Sequence, residues 1–235
     1  MNKTLVCAVV MSGLLTACGG DTASKADLDT EISKVSYGIG ANIGARFGDD
    51  LPLDVAAFSA GVRDALAGGE LQMSEEDIMS TLQAYQQKQL AVRQEESQQA
   101  GAVNQKAADA FFAKNSTEEG VKTTETGLQY QVLVKGDGAI PTADDTVEVH
   151  YHGTLLDGNV FDSSYQRGET VSFPVGGVIA GWTEALQMMP VGSKWKLFIP
   201  PALAYGLGGA GEMIGPNSAL IFDVELISIA GDDEK

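Results

Sequence analysis

The sequence predicts an α+β protein whose first part is all-helical and whose second part is a mostly antiparallel sheet packed on one short helix. Three observations carry this. Prolines are absent between Pro52 and Pro141, and then recur at 174, 190, 200, 201 and 216; a long proline-free tract suits helices, because proline removes a donor and clashes inside one. Before that change, apolar residues recur at steps of three and four. After Gly127 they alternate, as in Thr146-Val147-Glu148-Val149-His150-Tyr151, the two-residue period of a strand.

The chain opens with an address. Lys3 supplies a positive start, and Leu5 to Leu15 is apolar but too short to span a bilayer as a helix, the pattern of a signal peptide over residues 1–17. The following Leu15-Thr16-Ala17-Cys18 resembles the lipobox of bacterial lipoproteins, in which the Cys is acylated and becomes the new N-terminus. An ordinary signal-peptidase site with a chance Cys nearby is the competing reading. Gly19 stands where an Asp retains well-studied lipoproteins at the inner membrane, so the resemblance favours a lipid-anchored protein of the outer membrane, facing the periplasm or the surface. Cleavage before Cys18 also removes Cys7, leaving a single Cys and no intrachain disulfide.

Residues 18–73 read as a helical domain. Leu28, Ile32, Val35, Ile39, Ile43 and Phe47 mark one face of a helix ending near Gly48. A second helix starts at an Asp54 cap, carries Val55, Phe58, Val62 and Leu66 on one face, and stops at Gly68-Gly69. Two short amphipathic helices bury too little against each other, which predicts a homodimer through these faces. Residues 74–115 read as one long connecting helix, about 60 Å at about 1.5 Å per residue. It begins at the Ser74-Glu75-Glu76-Asp77 cap, and its Gln94 to Gln105 stretch offers so little apolar surface that it reads as a solvated stalk. Gly101 weakens it locally and could admit a bend. The polar run Asn115 to Gly120 reads as a boundary tolerant of cutting, and residues 116–235 as the second domain.

In that domain Val147, Val149 and Tyr151 share one face of a strand. Further strands are expected at 128–134, 171–175, 194–199 and 219–229, with a short helix from Ile179 to Met189 ended by Pro190. Gly231 to Lys235 is an acidic solvated tail.

Composition excludes some functions. With 32 acidic against 15 basic residues and a formal charge of −17, the surface repels polyanions, so nucleic acid is not an expected partner. Gly38 to Gly44 resembles a dinucleotide loop but sits inside a helical pattern with no strand before it; Gly206 to Gly215 lacks the Lys-Ser/Thr ending of a phosphate loop and reads as a loop over a pocket. Glu148, His150 and His152 share a strand face, yet exposed polar alternation explains that spacing without a metal. No cofactor or metal is expected.

Four passages in order carry a family resemblance: Val149-His150-Tyr151-His152-Gly153-Thr154-Leu155-Leu156-Asp157-Gly158-Asn159-Val160-Phe161-Asp162-Ser163-Ser164; Val178-Ile179-Ala180-Gly181-Trp182; Ala204-Tyr205-Gly206; and Leu220-Ile221-Phe222-Asp223-Val224-Glu225-Leu226. Together they resemble the FKBP-type peptidyl-prolyl cis-trans isomerases. The helical part, with Ser36-Tyr37-Gly38-Ile39-Gly40 and the long third helix, resembles the macrophage infectivity potentiator (Mip) subgroup.

The resemblance implies the FKBP fold, rotation of X-Pro bonds in exported polypeptides, accompanying chaperone activity, inhibition by macrolides and a V-shaped dimer. It implies a pocket walled by Tyr151, Phe161, Asp162, Phe173, Val178, Ile179, Tyr205, Ile214 and Phe222 with Trp182 as floor. The loop from Asp162 to Phe173 is longer than in small single-domain members, so the usual basic partner of the pocket Asp is not evident; Arg167 is the candidate. A binding module whose pocket only grips proline loops is the alternative function.

Overall fold

The computed structural model describes residues 25–47 and 53–230. The expected signal peptide over 1–17, the expected lipidation at Cys18, the expected stop near Gly48 and the expected solvated tail at 231–235 lie outside them. Two compact units result, one up to Glu75 and one from Glu76 onward.

The first unit holds α1 (Glu31–Phe47) and α2 (Val55–Ala67). The apolar period extends back to Leu28, but the helix starts at Glu31 because Thr30 and Ser33 cap it reciprocally: Ser33 N donates to Thr30 Oγ1 at 3.0 Å and Thr30 N to Ser33 Oγ at 3.1 Å. At α2 the Asp54 carboxylate accepts from the Ala56 and Ala57 amides at 2.9 and 3.0 Å, and Gly68 closes the helix at φ 63°. No residue of α2 is buried within the chain.

The second unit begins one residue into α3 (Glu75–Asn115) and continues through β1 (Val121–Thr123), β2 (Gln129–Val134), β3 (Thr146–Leu155), β4 (Val160–Ser163), α4 (Ser164–Arg167), β5 (Val171–Pro174), α5 (Ala180–Leu186), β6 (Lys194–Ile199) and β7 (Leu220–Ile229). The sheet order is β1-β2-β6-β7-β3-β4, with β5 also on β3, and every pairing is antiparallel. β3 is its hinge: the first half pairs β5 at Val147↔Phe173, the second pairs β4 at Gly153↔Asp162, and its whole length pairs β7. Alternation decides its faces. Val147, Val149 and Tyr151 point into a core shared with Leu128, Leu186, Met189, Leu197, Leu220 and Val224, while Glu148, His150 and His152 lie between core and solvent.

Three elements escape the sequence reading. β1 and β4 are three and four residues long and α4 four, too short for periodicity to register. α5 is shorter than the expected 179–189 because the chain leaves it in tight turns, Met188 N to Ala185 O and Met189 N to Leu186 O. β4 shifts register between Gly153 and Thr154 of its partner, a bulge that ends the hairpin.

Residues 116–120 after α3 are exposed, but Asn115, the first residue of the run expected to tolerate cutting, is drawn into packing. Asn115 is buried, and its side-chain amide donates to Gln129 Oε1 at 2.8 Å while Gln129 Nε2 donates to the Phe112 carbonyl at 3.0 Å. This pair satisfies carbonyl and amide groups that burial would otherwise leave unpaired. Phe111 lies 5.8 Å from Phe198 on β6, and Ala108 is fully buried. The end of α3 is therefore part of the sheet's own packing. Phe111→Ala should lower the unfolding free energy of this unit by about 1 to 3 kcal/mol, below the usual cost for a fully buried Phe because Phe111 is half-buried. Urea unfolding followed by tryptophan fluorescence checks it; an unchanged midpoint and slope would mean that the helix end contributes nothing.

Candidate active site

On the inner side of the sheet, between β3, β4, β5, α5 and the segment joining β6 to β7, lies a cavity of about 710 Å³. Its floor is Trp182, the third residue of α5, only 4% exposed. Three rings meet this indole edge to face: Tyr151 from β3 at 5.4 Å, Phe173 from β5 at 5.9 Å and Phe222 from β7 at 5.2 Å. Phe161 from β4 stands on Phe222 at 5.3 Å and 84°. Such perpendicular contacts set a positive ring edge against a negative face, worth about 0.5–1.5 kcal/mol per pair beyond burial. Their convergence needs one vacancy in the backbone. A Cβ on Gly153 would lie 2.7 Å from the Phe161 ring and 2.8 Å from Phe222, so any larger residue there would push the rings apart.

One edge of the cavity is polar. Tyr151 donates its hydroxyl to Asp162 Oδ2 at 2.5 Å, Arg167 Nη1 donates to Asp162 Oδ1, and Arg167 Nη2 donates to the Tyr151 hydroxyl at 2.8 Å. The guanidinium also lies over the Tyr151 ring, 5.6 Å from its centre. What brings Arg167 there is α4. Ser163 Oγ caps this single turn at the Gln166 amide, and Gly168 ends it at φ 76°. Ser164, fully buried, accepts from the Tyr151 amide at 2.8 Å and donates to the Tyr151 carbonyl at 3.1 Å, pinning the turn to β3 beside the ring that Arg167 serves.

Electrostatics follow from this triangle. Burial opposes ionisation of Asp162, but the hydrogen bonds from Tyr151 and Arg167 and the guanidinium charge outweigh it and hold the carboxyl below the usual range. Burial, then the bond to Asp162, pushes the Tyr151 phenol up, with Arg167 opposing. The carboxylate is ionised, bonded at both oxygens, and unsuited to take a proton near neutrality.

All ten residues that the resemblance implies line this one cavity: Tyr151, Phe161, Asp162, Phe173, Val178, Ile179, Trp182, Tyr205, Ile214 and Phe222. Val178 and Ile179 precede α5 and form the lip beside its first turn. Tyr205 is 44% exposed at the mouth, and its hydroxyl makes no hydrogen bond among the described residues. Gly177, Ala210, Gly211, Glu212 and Met213 also line it. Sequence reading missed these five individually; the glycine-rich run 206–215 was the signal for the last four, and Gly177 had none. Arg167, the candidate partner of Asp162, is that partner.

Among the described residues no group of three or more His, Cys, Asp and Glu is placed to hold a metal. Glu148 accepts from Thr170 and Ser228, His150 Nδ1 meets Ser164 Oγ at 3.0 Å, and His152 Nδ1 meets Ser163 Oγ at 3.1 Å, so this polar strand face is spent on hydrogen bonds.

Comparison with known proteins adds to this geometry. Residues 138–227 match the model for FKBP-type peptidyl-prolyl cis-trans isomerase, and residues 32–132 match the model for the domain amino terminal to that isomerase. The chain is 41% identical to the outer membrane protein MIP of Legionella longbeachae and 44% identical to the peptidyl-prolyl cis-trans isomerase Mip of Coxiella burnetii, in each case over 97% of this chain and 98% of the relative. The crystal structure of FkpA from Escherichia coli superposes with a TM-score of 0.66 at 41% identity, covering 86% of this chain and 97% of that one.

The depressed Asp162 carboxyl predicts a pH signature. A group whose pKa is lower in the folded state contributes stability that is full above its unfolded value near 3.8 and is lost as pH falls through the folded value. Asp162→Asn should therefore be less stable than the parent at pH 6, with the gap closing below about pH 4. Urea midpoints across pH 2.5 to 7 test this, and a gap that stays constant with pH would show that the triangle does not stabilise the ionised form.

Proposed function

From the premise that this chain belongs to the FKBP-type peptidyl-prolyl cis-trans isomerases and accelerates rotation about X-Pro bonds, we propose that its substrates are exported polypeptides and that it works in a bacterial envelope as a lipid-anchored homodimer. The observation that carries the site assignment is the aromatic cavity over Trp182.

Its chemistry needs neither nucleophile nor metal. An X-Pro bond rotates over a barrier of about 18–20 kcal/mol set by amide resonance, and a millionfold acceleration requires removing about 8 kcal/mol. The planar amide is more charge-separated than the twisted one, so an apolar cavity that excludes water favours the transition state. Trp182, Phe173, Phe222, Val178 and Ile179 hold the proline ring, with Phe161 and Ile214 closing the wall. Tyr205, its hydroxyl free at the mouth, donates to a substrate carbonyl. Asp162 orients Tyr151 and polarises the amide without moving a proton. Macrolides of the kind FKBP proteins bind occupy the same cavity.

Assembly and address rest on other features. Ile32 is 75% and Leu66 84% exposed in the single chain, on the faces of α1 and α2 that the apolar period marks. Covering them in a second copy makes residues 18–73 the dimerisation domain, 74–115 the connecting helix and 116–235 the catalytic domain. Attachment is by acyl chains on Cys18, supported by the lipobox-like Leu15-Thr16-Ala17-Cys18, at about 0.8 kcal/mol per buried CH₂. A relative is named as an outer membrane protein, in keeping with that compartment. A second reading is that the protein also acts as a holdase: Tyr205, Leu207 and Met213 leave apolar surface beside the cavity mouth, suited to gripping unfolded chains.

Three measurements test this. In an NMR exchange or protease-coupled assay on an X-Pro peptide, Phe222→Ala and Trp182→Leu should each lower kcat/KM about tenfold or more, at least about 1.4 kcal/mol of lost transition-state binding, with circular dichroism unchanged. Full turnover in both variants would sink the site assignment; lost turnover with intact suppression of aggregation would separate holdase from isomerase. Cys18→Ala should leave the membrane fraction, and light scattering of that soluble chain should give about twice the mass of one chain. A parent already soluble, or a monomer at micromolar concentration, counts against anchor and dimer respectively.

A further inference from the structure

The segment from Gly206 to Ser218, between β6 and β7, forms one wall of the cavity through Ala210, Gly211, Glu212, Met213 and Ile214. It is tied to itself. Ala210 N donates to Ile214 O at 2.8 Å, Ile214 N to Ala210 O at 3.1 Å, and Asn217 N to Gly206 O at 2.7 Å. Asn217 takes the left-handed backbone, φ 52°, and among the described residues no other non-glycine has a positive φ.

The outer side of this loop rests on α3. Asn104 Nδ2 donates to Pro216 O at 2.8 Å and, at 3.4 Å, to Ser218 Oγ; Asn217 Nδ2 donates back to the Gly101 carbonyl at 3.4 Å. Gly101 is buried at this crossing, where a Cβ would stand 3.3 Å from Pro216 Cβ and 3.6 Å from Asn217 Nδ2. A glycine inside a helix costs about 0.5–1 kcal/mol relative to alanine. Here it lets loop and helix approach closely enough for the two asparagines to reach across. Gly215 is equally close on the other side, a Cβ there lying 3.3 Å from Asn104 Nδ2. Two asparagines from segments more than a hundred residues apart thus each bond the other segment's backbone.

We infer that Asn104 and Asn217 are positioning residues for the isomerase reaction, and that α3 braces the loop wall of a cavity it does not itself line. This rests on the cavity being the isomerase site. The clamp holds Pro216 and Asn217, Asn217 holds Gly206, and Gly206 follows Tyr205, so both ends of the wall are fixed against the helix. Loosening it leaves the aromatic floor on β3, β5, β7 and α5 intact and frees the surface that meets the substrate on either side of the proline. The loss therefore appears mainly in KM.

The test uses the full chain with Asn104→Ala and with Asn104→Asp, which keeps the shape but replaces the donor by an acceptor facing the Pro216 carbonyl. Both should raise KM for an X-Pro peptide about 3- to 10-fold, short of the about hundredfold that a 1 Å displacement can cost. In both, kcat should stay within about twofold, and amide hydrogen exchange of residues 210–214 should speed up. Lys106→Ala, exposed on the same helix, should change neither. Unchanged KM and exchange in the two Asn104 variants would overturn the inference, as would a loss of activity without faster exchange in the loop. If only the alanine variant fails to fold, the aspartate variant decides; failure of both would assign Asn104 a structural role and also overturn it. An inactive parent, or Phe222→Ala with parental activity, would instead count against the isomerase site itself, independently of Asn104.

Discussion

The edge-on contact of Trp182 with Tyr151, Phe173 and Phe222 joins one short helix to three separate strands, and much of the second unit can be understood from it. The almost fully buried indole is packed by rings on several sides, and each of these rings comes from a different strand. β3 brings Tyr151, β5 brings Phe173 and β7 brings Phe222, with β3 paired to both of the others. The same rings that hold α5 on the sheet form the floor of the cavity. Stability and function are therefore drawn from the same contacts, and substitutions on the floor act on both.

The polar edge is built on the opposite logic. Asp162, Tyr151 and Arg167 form a closed set of donors and acceptors, so a carboxylate can sit against an aromatic cavity without an unpaired charge. Asp162 and Arg167 are both close to half exposed, and a pair so wetted contributes little to stability by charge alone. Beyond the modest stability that its hydrogen bonds to the ionised carboxylate contribute, its effect is geometric: the phenol and the carboxylate are held at one rim while the interior stays apolar. The anchoring of α4 through Ser164 to the backbone of Tyr151 makes that rim and the floor one rigid piece.

The long helix α3 changes character along its length. Its early turns are exposed, whereas from Gly101 onward it meets the β6–β7 loop and then, through Ala108, Phe111 and Asn115, the sheet itself. The solvated stalk expected over 94–105 therefore ends sooner than its polarity implies, because Asn104 spends its polarity on the loop. This arrangement gives the part of the chain that precedes the sheet a mechanical hold on one wall of the site.

What the sequence determined by itself was local. The Asp54 cap, the Gly68 stop, the inward set Val147, Val149 and Tyr151, and the strand at 194–199 follow from periods and caps that span a few residues. The ten cavity residues were legible through family resemblance, since no periodicity links Tyr151 to Phe222 across seventy residues of chain. Tertiary structure alone decided the rest. Asn115 and Asn104 look like linker and stalk in sequence, yet each is drawn into packing because a partner more than ten residues away offers a matching donor or acceptor. Arg167 could be nominated from the lengthened loop, but its pairing with Asp162 depends on a one-turn helix pinned by Ser164. The physical reason is common to these cases: side-chain hydrogen bonds are satisfied by whatever the folded backbone brings within about 3 Å, and only the assembled sheet determines what that is.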